Sequence, residues 1–265
     1  MKSWRLFRTA IAATTVLFAF IFIAHGQDRP PIPISPSASH PNPDEKMLFV
    51  AANRERGALG LQALRWDDAL AAAARRHAER MEREPELSHQ YPGEPPLAQR
   101  AAQAGARFAV IAENVAVGPT AAEIHDGWMH SPGHRKNILD PELTAVGIVA
   151  IRGSGGLFAV QDFSRQVASL TLGQQEEQVV SLLRKAGVPG AVAGEDARKT
   201  CGMRHGYAGD RVRYVLRFDV SDLSVLPEEL KKKIRVGAYR SAEVGACRDS
   251  HTDGFTVFRI AVLFR

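Results

Sequence analysis

The chain has 265 residues, of which 45% are hydrophobic, and its formal net charge is +5. This length and apolar content suit one large or two ordinary globular domains and argue against an intrinsically disordered chain. Part of the positive charge lies in the N-terminal region, so the net charge indicates only a mild attraction to anionic surfaces. Basic residues are not interleaved with aromatic residues in runs, and we therefore expect no nucleic-acid partner.

Residues 1–26 have the pattern of a signal peptide. A basic region precedes the apolar run 9–24, and Ala24-His25-Gly26 is similar to a small-x-small cleavage site. An uncleaved membrane anchor is the alternative, but the run is short for a full bilayer span. The pattern therefore predicts an exported protein, periplasmic or extracellular, with no transmembrane helix after signal cleavage.

A first domain is predicted after a proline-rich segment, 27–43, which cannot hold a helix and is expected to be an extended linker. Hydrophobic periodicity then predicts several helices and a small antiparallel sheet, ending near Ser164, and we assign this domain to 44–166. The elements expected in chain order are two helices separated by a turn at 57–64, a short helix at 95–105, an apolar segment at 107–118, a helix capped by Thr120, and a glycine-rich hairpin at 144–164.

A second, smaller α+β domain is predicted for 167–265. It is expected to contain an amphipathic helix at 176–190, an alternating strand at 211–220 and a short helix at 227–234. The final segment, 254–265, is apolar on nearly both faces, which predicts a strand in the centre of a sheet. The fold class of the whole chain is therefore α+β.

The two cysteines, Cys201 and Cys247, are candidates for a disulfide because an oxidising compartment preserves such bonds in exported proteins. A bond between them would tie Cys201 to a loop that precedes the last strand. Two free thiols are the alternative. In the chain-entropy model, closing a loop of this length stabilises the fold by about 4 kcal/mol.

Three polar residues of the first domain, His89, Glu113 and His134, stand where the local pattern does not require them. His89 falls in the loop beyond the second predicted helix. Glu113 interrupts the apolar run IAENVAV, so it either lies in a cleft with a partner or faces solvent at a strand edge. His134 follows the Pro132-Gly133 pair at a junction between a loop and a helix, where binding groups are often displayed. The basic residues that follow His134 favour a nearby acid such as Glu113.

Several motifs together resemble the bacterial branch of the CAP superfamily, which comprises cysteine-rich secretory proteins, antigen 5 and pathogenesis-related proteins. They occur in the family's order and spacing over about residues 44–164: NRER, SHQ, AENVA, GWMHSPGHRKNIL, VGIVAI and FAVQDFS. The resemblance implies an α-β-α sandwich with an antiparallel sheet and an open cleft. It also implies that two histidines and two glutamates converge in that cleft.

By position, the resemblance assigns His89, Glu113 and His134 to the cleft. The position of the family's second glutamate is occupied by Ser131, so the usual set of four residues is incomplete. Glu123 lies two turns earlier on the same predicted helix and is a doubtful substitute. A serine nucleophile at Ser131 is disfavoured, because nothing in the sequence brings its hydroxyl to an imidazole.

Two imidazoles beside a carboxylate suit a divalent cation, with zinc the best match, and His89 and His134 are the predicted metal ligands. Our first hypothesis is an exported binding protein for a small molecule, a lipid or an envelope component. One alternative is a metal-assisted peptide or ester hydrolase with Glu113 and His134 as catalytic residues. The other is a non-catalytic envelope-interaction protein that acts through its C-terminal domain.

Overall fold

The structure, a computed structural model, describes residues 41–84, 86–237, 239–252 and 254–265. The predicted signal peptide and most of the predicted linker lie outside these residues. The first sheet and its helices comprise α1 (Pro43–Ala58), β1 (Arg65–Trp66), α2 (Asp68–Met81), α3 (Leu97–Gln103), β2 (Phe108–Gly118), α4 (Ala121–His130), α5 (Pro132–Ile138), β3 (Ala145–Gly153) and β4 (Gly156–Gln166).

Short polar side chains begin the main helices of this half. Asn42 and Glu45 form a reciprocal capping box at the start of α1, so this helix begins inside the segment that was predicted as linker. The sequence offers Asp67 or Asp68 as the acidic start of the second helix, and Asp67 caps α2 by accepting from two backbone N–H groups. Thr120 caps α4 as predicted.

The first sheet has the strand order β1-β3-β4-β2 and helices on both faces. One face packs on α1, α4 and α5 around a core that includes Leu48, Trp128 and Phe163. The other face packs on α2, which approaches so closely that a Cβ on Gly147 of β3 would lie 2.0 Å from the backbone nitrogen of Ala71. The α-β-α sandwich expected from the sequence is therefore present.

The second sheet and its helices form the C-terminal half. They comprise α6 (Leu172–Lys185), β5 (Gly190–Ala193), α7 (Glu195–Gly202), β6 (Tyr214–Val220), α8 (Glu228–Gly237), β7 (Ser241–Thr252) and β8 (Phe255–Phe264). The strand order is β5-β7-β8-β6, so the last strand is central, as its apolar faces predicted. A separate apolar core, which includes Val180, Leu230 and Ile260, lies against this sheet.

The disulfide between Cys201 and Cys247 is formed, but its position corrects one expectation. Cys247 lies on strand β7 rather than in a loop, and Cys201 lies on α7. Sequence analysis missed β5, α7 and β7, because their segments are short or rich in polar and small residues and lack a clear hydrophobic period. The bond therefore joins a helix to the sheet beneath it.

The two halves pack against each other. Phe108 at the start of β2 contacts Phe255 of β8 edge to face, with ring centroids 5.3 Å apart. Gly254, which has φ +96°, lies so close to α3 that an added Cβ would be 2.4 Å from the carbonyl oxygen of Ala98. The turn between β7 and β8 therefore rests on α3.

Candidate functional site

Strand β2 is the edge strand of the first sheet, and its central residue Glu113 organises the candidate site. Glu113 is only 7% exposed, so it does not face solvent at a strand edge, which was one of the two predicted environments. Its Oε1 accepts a hydrogen bond of 2.9 Å from His89 Nδ1. Its Oε2 accepts a hydrogen bond from Arg100 Nη2, and the Arg100 side chain is also buried. The carboxylate is thus engaged on both oxygens.

His89 lies in the loop between α2 and α3 and presents its ring to the cleft, with 60% of the side chain exposed. A carboxylate can accept a hydrogen bond only from a ring nitrogen that carries a hydrogen. His89 Nδ1 is therefore the N–H, and in the neutral ring Nε2 holds the lone pair. The hydrogen bond to Glu113 raises the pKa of His89, while partial burial and the charge of Arg100 oppose that rise.

His134 approaches from α5, which packs on the other face of the sheet. Asn114 Nδ2 donates to the His134 carbonyl oxygen at 3.2 Å, and Asn137 Nδ2 donates to the Glu113 carbonyl oxygen at 3.1 Å. These two amides fix α5 against β2. Burial lowers the pKa of His134, and the positive charge of His89 lowers it further. Protonation of His89 therefore disfavours protonation of His134.

Ser131 connects α4 to α5 and ends the first of these helices with an extended backbone. Its hydroxyl caps neither helix by a side-chain hydrogen bond. Glu123 lies on an exposed position of the first turn of α4. Neither residue supplies a second carboxylate beside Glu113.

The second acid near Glu113 is Asp162, which sequence analysis did not single out. Asp162 of β4 lies directly opposite Glu113 in the antiparallel pair and is 0% exposed. Burial raises its pKa well above the usual value, and the neighbouring charge of Glu113 adds to the rise. The only sequence signal is an acid inside the apolar strand FAVQDF, a pattern similar to that around Glu113.

Arg100 and the residues behind it were also missed. Arg100 Nη1 donates to the His89 carbonyl oxygen at 3.2 Å, so one side chain holds both the loop and Glu113. His77 of α2 is fully buried and contacts Glu94 Oε1 at 2.8 Å and the Ser88 carbonyl oxygen at 3.0 Å. The helix prediction placed Arg100 on α3, but no local pattern indicated that it would face Glu113.

The side chains that could hold a metal are few. Across the described ranges, no group of three or more His, Cys, Asp or Glu side chains has an arrangement that could hold a metal ion. The cleft offers two imidazoles, and its central carboxylate is already engaged by His89 and Arg100. Any cation bound here would need water for its remaining ligands.

Comparison with known proteins gives the family. Residues 50–163 match the model of the CAP family, described as the cysteine-rich secretory protein family. The α-β-α domain of this chain belongs to that family. An uncharacterized protein of Bacillus subtilis, YkwD, is 33% identical over 118 residues, which are 44% of this chain and 46% of the relative. The uncharacterized membrane protein YlbC of the same organism is 33% identical over 39% of this chain and 30% of its own length. The chain thus matches less than half the length of either relative.

Solved structures with a similar fold include bacterial surface and extracellular proteins. One is an extracellular protein containing an SCP domain from Bacillus anthracis, with 29% identity and a TM-score of 0.43 over 46% of this chain and 40% of that chain. Another is an outer surface protein of Borrelia burgdorferi, with 21% identity and a TM-score of 0.44 over 46% of this chain and 92% of that chain. Among the described residues, no helix is long and apolar enough to cross a bilayer.

Proposed function

We propose that this is an exported binding protein whose CAP-domain cleft holds a divalent cation between His89 and His134. The observation that carries the proposal is the hydrogen bond of 2.9 Å between His89 Nδ1 and Glu113 Oε1. Export is supported by the signal-like pattern of residues 1–26. The disulfide is consistent with an oxidising compartment.

The imidazole nitrogens of His89 and His134 are of the type that binds divalent cations. A carboxylate that accepts from one ring nitrogen of a histidine orients the ring and makes the other nitrogen a better metal ligand. Glu113 has this relation to His89, whose Nε2 is thereby left for a ligand. His134 is half-buried and its lowered pKa favours the neutral ring that a metal requires. A bound cation would supply positive charge able to attract an anionic or carbonyl group of a ligand.

A binding function is favoured over metal-assisted hydrolysis because both carboxylate oxygens of Glu113 already accept hydrogen bonds. A general base must be free to take a proton from water, whereas both oxygens of Glu113 are engaged by His89 and Arg100. Asp162 is buried, and its raised pKa favours the neutral acid. Neither carboxyl group is therefore suited to activate water in the cleft.

The experiment is a calorimetric titration of the protein with zinc chloride. Wild type is compared with His89→Ala, His134→Ala and the control His130→Ala, because His130 is an exposed histidine of α4. We expect wild type and the control to bind one zinc ion, and each cleft variant to bind at least about tenfold more weakly, the usual range for loss of a ligand or its support.

Circular dichroism must show that the two cleft variants remain folded. Equal affinities in all four proteins would overturn the proposal, since zinc would then bind elsewhere. An absence of zinc binding by the wild type would overturn it as well.

A further inference from the structure

A second cavity lies on the α2 and α3 side of the domain, and the proposed cation cleft does not account for it. It has a volume of 480 Å³ and lies between the C-terminal half of α2, the loop 92–95 and α3. This volume is within the range of pockets that take small molecules, about 300 to 1,000 Å³. Four arginines and one acid are among its lining residues: Arg76, Arg80, Arg83, Arg100 and Glu94.

Three of these arginines come from the last turns of α2 and the turn that follows it. Arg76 and Arg80 are spaced by four residues on one face of the helix, Arg83 lies in the turn after Met81, and their like charges repel. Arg80 pairs with Glu84. Within the part of the chain that the structure describes, neither Arg76 nor Arg83 has a carboxylate within ion-pair distance. Arg76 and Arg83 therefore bring uncompensated positive charge to the cavity.

The fourth arginine is built into the wall. The Arg100 side chain is 4% exposed, and its two terminal nitrogens are used by Glu113 and by the His89 carbonyl oxygen. Its Nε is buried and has no hydrogen-bond acceptor among the described residues. Arg100 therefore forms part of the wall, and the exposed arginines Arg76 and Arg83 are the ones free to contact a ligand.

The acid in the wall offsets only part of this charge. Glu94 Oε1 contacts His77 Nδ1 at 2.8 Å, and Glu94 Oε2 accepts from the Tyr91 backbone N–H at 3.1 Å. The nearest Arg100 nitrogen is 3.7 Å from Glu94, a longer contact than a hydrogen bond. Arg80 and Arg100 are paired with Glu84 and Glu113, so the positive charge left in the cavity is that of Arg76 and Arg83.

We propose that this cavity binds a phosphate group carried by a small molecule or a lipid headgroup. Guanidinium groups bind phosphate oxygens with paired, charge-assisted hydrogen bonds, which arginine provides better than lysine. An anion at this position would relieve the repulsion between Arg76, Arg80 and Arg83. The site is separate from the cation cleft, and Arg100 is the residue that lies between them.

The test is a calorimetric titration with inorganic pyrophosphate, carried out in a metal chelator so that cation binding cannot contribute. Wild type is compared with the double variant Arg76→Gln/Arg83→Gln. Arg76 is exposed on α2 and Arg83 is exposed in the turn after it, so the fold should persist. Arg54→Gln is the control for charge, because Arg54 lies on α1 and is 72% exposed. His89→Ala separates this site from the cation cleft.

We expect micromolar to millimolar binding by wild type, Arg54→Gln and His89→Ala, and at least about tenfold weaker binding by the double variant, since two charged contacts are lost. Failure of the wild type to bind pyrophosphate would overturn the proposal. Equal affinity of the double variant and the wild type would also overturn it.

The source of the phosphate is distinguished by a second arm. The same proteins are sedimented with phosphatidylcholine vesicles that either contain or lack phosphatidic acid. If wild type binds the phosphatidic acid vesicles and the double variant does not, a lipid headgroup is the source of the phosphate. Pyrophosphate binding that the double variant loses, without vesicle binding, would support a soluble phosphate compound.

Discussion

At the scale of single residues, the cleft depends on Glu113. This carboxylate connects an exposed loop histidine to a buried arginine, and its own backbone carbonyl accepts from Asn137 on α5. A buried ion pair adds little net stability compared with an apolar pair, but removing one partner leaves an uncompensated buried charge. Changes at Glu113 should therefore affect both stability and the state of His89.

The first prediction concerns Glu113→Gln. We expect the free energy of unfolding to fall by about 3 kcal/mol, because Arg100 would remain buried without its counter-charge. The pKa of His89 should also fall, since the hydrogen bond to Glu113 is the largest cause of its rise. Urea denaturation measures the first effect, and histidine titration by NMR measures the second. Glu123→Gln, at an exposed position, is the control, and an unchanged pKa of His89 would contradict the assigned contact.

The second prediction concerns Asp162→Asn and its dependence on pH. The pKa of Asp162 is higher in the folded state than in the unfolded state, so between these two pKa values the unfolded state binds fewer protons. The stability of the wild type therefore falls as the pH rises from the unfolded-state pKa to the folded-state pKa. The amide cannot ionise, so the advantage of the variant over wild type should be larger at about pH 7 than at about pH 4. The gain is about 1.4 kcal/mol for each unit of pKa shift.

Urea denaturation of both proteins at the two pH values measures this difference. A difference in unfolding free energy that is independent of pH would contradict the raised pKa of Asp162.

At the scale of elements, the close contact between α2 and β3 sets the geometry of one face of the sheet. Gly147 permits this contact because its absent Cβ would meet the backbone of Leu70 and Ala71. We predict that Gly147→Ala lowers the free energy of unfolding by about 3 kcal/mol, the upper part of the range for overpacking, since backbone atoms rather than a flexible side chain must move. Gly173→Ala is the matched control, because no atom lies within 4 Å of the Cβ position there.

Thermal denaturation of both variants checks this prediction. Gly173 lies in helix α6, where alanine is favoured over glycine, so its substitution should be neutral or slightly stabilising. Equal melting temperatures for the two variants would show that α2 can move away from β3 without cost.

The elements that carry hydrophobic periodicity or capping signals could be predicted from the sequence. Asp67, Thr120 and the glycine-rich hairpin marked their elements correctly because these signals are local. Strand β7 was missed because Arg248 and the small residues near it give no continuous apolar face. The local pattern singled out the cleft histidines and the resemblance placed them in one cleft, whereas Arg100 and Asp162 become site residues only when α3 and β4 pack beside β2.

At the scale of the whole molecule, the C-terminal half packs against α3, the helix that carries Arg100. The close approach of Gly254 to Ala98 and the contact between Phe108 and Phe255 place this half against α3 and the start of β2. The disulfide between Cys201 and Cys247 holds α7 on the sheet of that half. Destabilising the C-terminal half should therefore loosen the packing that holds α3 in position.

The fourth prediction concerns this disulfide. With the two cysteines separated by 46 positions, its loss through Cys201→Ala/Cys247→Ala should lower the free energy of unfolding by about 4 kcal/mol in the chain-entropy model. Denaturation of the wild type with and without a reductant should show the same loss, and the variant should not respond to the reductant. A wild type that is equally stable with and without the reductant would contradict this role.

We propose above that His89 and His134 hold one cation between them. Anomalous X-ray diffraction at the zinc absorption edge, from crystals of the protein soaked in zinc chloride, tests this directly. We expect one strong anomalous peak within about 2.1 Å of His89 Nε2 and of one ring nitrogen of His134, with His89 Nδ1 still hydrogen-bonded to Glu113. A peak that touches only one of these rings, or no peak in the cleft, would contradict it.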